Sequence, residues 1–291
     1  MLRTSSIDIE RPDGVLGPLV LRGRGEDRAT DGTVLAAAEM DAHIDFIGGR
    51  LITALTVSPD PGGVGAQLVG QPASARLRNA LDDRSGSLTA LLLDEIPVAT
   101  LISGYALTLS GELAAYTGGG GTGGRPRKLP IGVCAGWEAE GAMAQSFVAG
   151  EPVLRIGPKA PPSTLALEPL PPTAMRRQRR LEITSGATIV IESMFRDTYI
   201  DDDGTETVVH EYSIDATVDP TSRTIVFITA SPGVLPGPEC PSAAGSAQRL
   251  VGLPLVDVRA RVRESFVGTT TCTHLNDALR ALGDLDVLLR P

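Results

Sequence analysis

The stretch FRDTYIDDDGTETVVHEY, residues 195–212, carries the pattern that decides the fold. At its centre Asp202-Asp203-Gly204 is a strong turn signal between two segments rich in β-branched and aromatic residues. This pattern predicts an antiparallel β-hairpin. Apolar and polar residues alternate on its second strand, so His210 and Tyr212 share one face of the predicted sheet. Further strands are predicted over 181–183, 188–192 and 224–230.

Two helical segments are predicted downstream of these strands. The first begins at Cys240-Pro241, because proline is tolerated in the first turn of a helix. The second begins near Thr273, a good N-cap residue, and is followed by leucines and alanines at helical spacing. Cys240 and Cys272 therefore lie at predicted helix starts, where backbone N–H groups lower the pKa of a thiol.

Three segments of the first half of the chain match three segments of the second half in the same order. Asp31-Gly32-Thr33 parallels Asp203-Gly204-Thr205, and the other two matches pair 50–59 with 223–232 and 66–72 with 247–254. These matches predict an α+β fold of two tandem, diverged repeats, each a small antiparallel sheet followed by two or three helices. The predicted organisation is a degenerate N-terminal repeat over 1–116, a Gly/Pro-rich linker and insert over 117–174, and a C-terminal repeat over 175–291.

When the two repeats are aligned, the candidate functional residues occur only in the second repeat. Ala90 falls opposite Cys272 and Leu92 opposite His274, so the first copy lacks the thiols and imidazoles of the second. Pro97 interrupts the first copy where the second has its last helix, which predicts a shorter or displaced helix there.

The chain has three cysteines and three histidines, and four of these six residues form the candidate site: His210, Cys240, Cys272 and His274. Thiolate and imidazole are ligands that zinc and iron favour. We therefore predict that these four residues bind zinc or iron. Full ligation by all four makes such a site structural, whereas an enzyme keeps one position open.

If the site is catalytic, the sequence offers Glu239, Tyr212 and Asp277 as acid–base residues for the hydrolysis or hydration of a small molecule. One alternative is a cysteine-nucleophile hydrolase, in which His210 or His274 activates Cys240 or Cys272. Another is a non-catalytic binding or assembly module, in which the cysteines are buried apolar side chains.

The linker, the third cysteine and the third histidine have simpler interpretations. Residues 117–126 are glycine-rich and read as a flexible linker, and a Pro-rich connector follows over 158–172. Cys134 and Trp137, in the insert, either line a pocket or anchor the segment. His43 is interpreted as a surface or strand residue.

Composition and charge argue against two classes of partner, nucleic acids and membranes. The chain has 291 residues, of which 42% are hydrophobic and 3% aromatic, and its net charge is −9. The negative charge argues against non-specific nucleic-acid binding, and the basic run 176–180 is interpreted as a solvated linker or strand edge. The apolar window 96–109 is interrupted by polar residues, which predicts no membrane span.

The cysteine count and the N-terminus predict a cytoplasmic protein. Three cysteines with no secretory signal suggest reduced thiols and no disulfide framework. The internal repeat predicts a monomer, because a pseudo-dimer within one chain replaces a homodimer.

Several motifs resemble a known bacterial family. Residues 210–212, 235–241 and 250–252, together with Cys272-Thr273-His274-Leu275-Asn276-Asp277, are similar to the family called domain of unknown function 2889 over about 130–291. That resemblance implies a shared site without naming a reaction. The order of the four ligands also resembles the iron–sulfur scaffold proteins of NifU type, although those have Cys where this chain has His210 and an adjacent His-Cys pair where it has Cys-x-His.

Overall fold

A computed structural model describes residues 1–81, 86–112, 129–160 and 167–289. The strands are β1 (Leu2–Glu10), β2 (Leu19–Arg28), β3 (Val34–Asp45), β4 (Leu51–Ser58), β5 (Met175–Ser185), β6 (Ile189–Ile200), β7 (Glu206–Val218) and β8 (Ile225–Pro232). They form one eight-stranded antiparallel sheet in the order β4-β3-β2-β1-β5-β6-β7-β8.

The sheet consists of two four-stranded meanders that join at their first strands. β1 pairs with β5, in a register that sets Leu2 opposite Glu182 and Ile9 opposite Met175. The α+β class is therefore confirmed, but the strands of both halves lie in one sheet and not in two small ones. The predicted hairpin is also confirmed, since β6 and β7 flank the turn at Asp202 and Asp203.

The helices follow each meander. The α-helices are α1 (Val64–Leu68), α2 (Leu88–Leu109), α3 (Ala142–Val148), α4 (Leu255–Ser265), α5 (Thr273–Ala281) and α6 (Leu285–Leu288). Among the described residues, four 3-10 segments accompany them: Ala75–Ala80, Ala135–Trp137, Cys240–Leu250 and Leu282–Asp284. The two predicted helix starts are confirmed, although the one at Cys240 opens a 3-10 segment and the N-cap of α5 is Cys272 instead of Thr273.

Helix α2 contradicts the expectation of a short or displaced helix in the first half. It is 22 residues long and continues past Pro97. An interior proline removes one helical hydrogen bond, but nearly every side chain of α2 is buried against the sheet and its neighbours, and this burial outweighs the loss. By length and composition α2 could cross a membrane, yet 89% of its most apolar stretch is buried inside the protein.

The insert packs against the second half. Ala135 donates a backbone hydrogen bond to Thr271 and Gly157 donates one to Val208. The predicted glycine linker, 117–126, lies outside the described residues, as does part of the Pro-rich connector, 161–166. The insert therefore packs along one side of the C-terminal half.

Candidate functional site

A cavity of about 70 Å³ lies between α2, the insert and the second half of the chain. Its lining includes all three cysteines, which are Cys134, Cys240 and Cys272. His210 and His274 line it as well. The structure thus brings the four predicted metal ligands to one cavity and adds a third thiol to them.

The two histidines form a stacked, buried pair. His210 comes from β7 and His274 from the first turn of α5, and they are 1% and 6% exposed. Their ring centroids lie 4.1 Å apart at an interplanar angle of 29°, and Tyr105 of α2 packs edge-on against His210 at 4.7 Å. Within the described ranges, neither Nε2 atom has a hydrogen-bond partner. Buried polar atoms of this kind require an explanation, such as a bound water or ion.

Asp197 completes a group that sequence reasoning missed. It lies opposite His210 in the β6–β7 register, and its Oδ2 is 3.3 Å from His210 Nδ1. One possible ligand atom from each of Asp197, His210 and His274 falls within 4.8 Å of the others. Regular counting back from the predicted turn places Asp197 opposite Val209, and a register shift between Asp197 and Thr198 brings it opposite His210 instead, so the hairpin pattern alone could not find this pair.

Arg177 holds the Asp197 carboxylate in place. One terminal nitrogen of Arg177 donates to both carboxylate oxygens, at 2.8 and 2.9 Å. Burial alone would raise the pKa of Asp197, but the Arg177 guanidinium together with His210 and His274 outweighs that effect and holds the pKa below its ordinary value. Asp197 is therefore an anion beside the histidine pair.

Desolvation determines the charge of His274. Burial, with a smaller contribution from repulsion by His210, lowers the pKa of His274 well below its ordinary value. His274 is a neutral imidazole at pH 7, which is the form that binds a metal.

The pKa values of the thiols differ from the sequence prediction. Burial raises the pKa of Cys272 to about 12 and that of Cys240 to about 11, and nearby N–H groups offset only part of this effect. The expectation that helix starts would lower these pKa values is wrong, because removing a thiolate from water costs more than a short helix terminus returns. Cys272 Sγ lies 3.8 Å from His274 Nδ1.

Cys134 and Trp137 both line the cavity. Burial raises the pKa of the Cys134 thiol, although the backbone N–H of Thr273 faces it. Trp137 packs edge-on against Phe147 at 5.1 Å, and a Cβ on Gly136 would meet Cys240 Sγ at 2.6 Å. Glycine at position 136 therefore lets the insert approach the Cys240 thiol.

The three predicted acid–base residues are absent from the described lining of the cavity. The Tyr212 hydroxyl donates to the Cys240 carbonyl at 3.2 Å, and burial followed by the neighbouring thiols raises the pKa of Tyr212. Glu239 Oε1 accepts a hydrogen bond from the Ala142 backbone at 2.6 Å. Asp277 lies among arginines in a buried cluster that is connected to Asp197 through Arg177.

That cluster, here called the arginine network, contains five arginines and five carboxylates that are buried or half-buried. It links Arg177 to Glu95 of α2 at 2.6 Å and Arg179 to Asp277 of α5 at 2.5 Å. Its members are Arg78, Arg177, Arg179, Arg259, Arg280, Asp94, Glu95, Asp197, Asp277 and Asp284.

The network corrects the interpretation of the basic run as a solvated segment or strand edge. Arg177 is 1% exposed and lies on β5, a central strand. Its partners come from α2, β6 and α5, far away in the sequence, so local charge counting could not find them.

Burial and charge act in opposite directions within the network. Burial would raise the pKa of Asp277, but Arg280, Arg179, Arg78 and Arg177 outweigh it and hold the pKa well below its ordinary value. For Glu95 burial dominates over its arginines, and the pKa is raised. Asp277 is therefore a poor proton acceptor at neutral pH.

Fold and site together define a mixed α/β protein with one large antiparallel sheet and a buried cavity lined by histidines and cysteines. Residues 175–287 match the model of the family described as Protein of unknown function (DUF2889). The family expected from the Cys272-Thr273-His274-Leu275 motif is thus confirmed over these residues. None of the curated proteins compared with the chain matches it.

Proposed function

We propose that the cavity binds zinc or iron and that the bound metal acts on a small molecule. One observation carries this proposal: two buried imidazoles, stacked 4.1 Å apart, keep Nε2 atoms without hydrogen-bond partners among the described residues. Metal ligation would satisfy both atoms, because neutral imidazole is a common ligand of zinc and iron.

The donors around the pair fit such an ion. His210 and His274 supply nitrogen, and Cys240 and Cys272 line the same cavity and offer sulfur. Asp197 either ligates directly or holds His210 through Nδ1, and such carboxylate–histidine contacts orient metal ligands. A metal also stabilises the thiolate form of cysteine, which would counter the raised thiol pKa values.

Hydrolysis or hydration is the chemistry that we propose for the site. A metal supplies a bound water of lowered pKa and polarises an acceptor oxygen. A volume of about 70 Å³ has room for a few waters or a molecule of a few heavy atoms. Acid–base assistance from Tyr212, Glu239 or Asp277 has weaker support, since the first two are engaged by backbone groups and Asp277 by arginines.

A cysteine nucleophile is the second candidate, favoured by the 3.8 Å contact between Cys272 Sγ and His274 Nδ1. The two pKa shifts disfavour it. A thiol with a raised pKa beside an imidazole with a lowered pKa is a neutral pair, whereas nucleophilic cysteines need thiolate.

The tandem repeat is part of the proposal and has support in matched backbone geometry. Arg50 and Arg223, which precede β4 and β8, are both non-glycine residues with positive φ, at 59° and 57°. Gly70 donates to Ile52 and Gly252 donates to Ile225, each at 2.8 Å. We infer that one duplicated unit gave both halves, that the second half retained the site, and that the chain is a cytoplasmic monomer.

Elemental analysis of anaerobically purified protein tests the metal. We expect about one equivalent of zinc or iron in the wild type and a loss of most of it in His210→Gln/His274→Gln. The matched control is His43→Gln, because His43 is a half-exposed strand residue beside Asp41 and should leave the metal content unchanged. Circular dichroism establishes that each variant is folded.

Two results would contradict the metal proposal. One is wild-type protein without metal even after incubation with Zn²⁺ and with Fe²⁺, and the other is equal metal content in wild type and double variant. Rapid alkylation of Cys272 at pH 7 in a metal-free wild type would instead favour the nucleophile.

A further inference from the structure

The cavity that holds the two histidines and three cysteines, here called the histidine–cysteine cavity, has a lining without permanent charges. None of its described lining residues is an aspartate, glutamate, lysine or arginine. Asp197, which contacts His210, is paired with Arg177 and is not among them. A charged molecule here would lose its hydration without gaining an opposite charge. The cavity therefore favours an uncharged occupant.

The insert supplies an apolar wall of this cavity. Trp137, Met143 and Phe147 line it, and the rings of Trp137 and Phe147 meet edge-on with their centroids 5.1 Å apart. Both rings are half-buried, whereas Met143 is 2% exposed. Aromatic and thioether side chains pack well against hydrocarbon. This wall therefore fits the apolar part of a ligand.

Hydrogen bonds hold the wall against the second half of the chain. The Ala142 N–H donates to Glu239 Oε1 at 2.6 Å, and the Arg155 N–H donates to the Pro236 carbonyl at 3.0 Å. Together with the bond from Ala135 to Thr271, they fix the insert on both sides of Trp137 and Phe147. A wall that is already in place saves the cost of ordering it when a ligand binds.

Tyr105 of α2 adds a hydrogen-bond donor from the first half of the chain. It lines the cavity, and its ring meets His210 edge-on with the centroids 4.7 Å apart. In the described parts of the chain its hydroxyl has no hydrogen-bond partner. A phenol is protonated at neutral pH and can donate one hydrogen bond. Tyr105 can therefore donate to an acceptor atom of a ligand beside the histidine pair.

We propose that the histidine–cysteine cavity binds a small uncharged carbonyl compound, such as the amide of a short-chain acid. The carbonyl oxygen accepts a hydrogen bond from Tyr105, and the hydrocarbon chain packs against Trp137 and Phe147. A volume of about 70 Å³ limits the ligand to a few heavy atoms. The inference rests on the proposed function, because it names the substrate class of the metal site and a carbonyl is a group that a metal polarises. The binding itself requires no metal.

Titrations followed by tryptophan fluorescence test the proposal, because Trp137 is the single tryptophan of the chain and lines the cavity. The probes are butyramide, acetamide and sodium butyrate at constant ionic strength. Butyramide and butyrate have nearly the same shape and differ in charge, whereas acetamide has a shorter chain than butyramide. The full chain is titrated as purified and again with a chelator.

The test variant is Tyr105→Phe, which removes the hydroxyl and keeps the ring. The matched control is Tyr199→Phe, because Tyr199 is also buried but is not among the described lining residues. Circular dichroism establishes that both variants are folded.

We expect butyramide to bind saturably with and without the chelator. It should bind about tenfold more tightly than acetamide, because burying each CH₂ group favours binding, and about tenfold or more tightly than butyrate. Tyr105→Phe should weaken butyramide binding about threefold to tenfold, the effect of one hydrogen bond. Tyr199→Phe should leave it unchanged.

The proposal is overturned if butyramide does not saturate the wild type, if butyrate binds as tightly as butyramide, or if Tyr105→Phe binds butyramide as tightly as the wild type. Binding that the chelator abolishes would also overturn it, since the carbonyl would then depend on a metal and not on Tyr105. The metal proposal is judged by elemental analysis, so either proposal can fail while the other holds.

Discussion

At the scale of single residues, the ion pairs of Asp277 predict that this residue has a structural role. Its two carboxylate oxygens contact four arginines, from α5, β5 and the segment after α1. The buried charges are favourable only as a set, because removing one partner leaves the others desolvated and uncompensated.

We therefore expect Asp277→Asn to lower the free energy of unfolding by about 3–5 kcal/mol, the cost of breaking a buried ion pair. Urea unfolding measures the change. Asp257→Asn is the matched control, since Asp257 is exposed in the first turn of α4. A loss at Asp277 as small as that of the control would contradict a structural role.

His274 predicts a pH dependence of stability. Its pKa lies well below the ordinary value in the folded protein, whereas an unfolded chain binds this proton near pH 6.5. Below that pH the unfolded state gains a proton that the folded state refuses, so stability falls as pH falls, by up to about 1.4 kcal/mol per pH unit.

Urea unfolding between pH 7.5 and 5, with a chelator present, measures that slope. We expect His274→Gln to remove the His274 component and His43→Gln to keep it. Equal slopes for the wild type and His274→Gln would show that His274 titrates normally in the folded protein.

At the scale of elements, two glycines occupy turns of similar backbone geometry. Gly70 and Gly252 each have a positive φ, 83° and 84°, and each would have open space around an added Cβ. The cost of alanine at either position is therefore backbone strain alone, about 1–2 kcal/mol.

We expect Gly70→Ala and Gly252→Ala to destabilise the protein equally, as measured by urea unfolding. Gly245→Ala is the control, because Gly245 has equal space but no positive φ, and we expect little or no loss there. A loss at only one of the two turns would argue against equivalent halves.

The elements that local pattern encodes were predicted from the sequence. The turn at Asp203-Gly204 and the start of α5 at Thr273 depend on neighbouring residues alone, which is why the hairpin and the last helix were found. The sequence also predicted that His210, Cys240, Cys272 and His274 form one group, because the chain has few other cysteines and histidines, and all four line one cavity.

The rest depends on long-range contacts that no local pattern encodes. The burial of Arg177 required Glu95 and Asp197 to be known as neighbours. The persistence of α2 through Pro97 depends on the surface that covers it. The raised pKa of Cys272 reflects the desolvation of the whole cavity and not its position in α5.

At the scale of the whole molecule, the histidine–cysteine cavity requires both halves. Tyr105 and Leu101 of α2 line it, and Glu95 neutralises arginines of β5. The segment that matches the family, residues 175–287, therefore lacks part of its own site and of its charge balance.

We expect residues 175–291 alone to be unfolded or aggregated. Without the first half, β5 exposes a strand edge and Arg177 and Arg179 lose Glu95. Circular dichroism and size-exclusion chromatography of the fragment beside the full chain measure this. A monomeric fragment with cooperative unfolding would contradict it.

The seam between β1 and β5 also sets an order of events during synthesis. β1 leaves the ribosome well before β5, yet one of its edges pairs with residues 175–182 of that later strand. Until those residues emerge, the nascent first half presents an unpaired strand edge to other chains. Contacts between residues so far apart in the sequence form slowly. The pairing of β1 with β5 is therefore the folding step at which the nascent chain is most prone to aggregation.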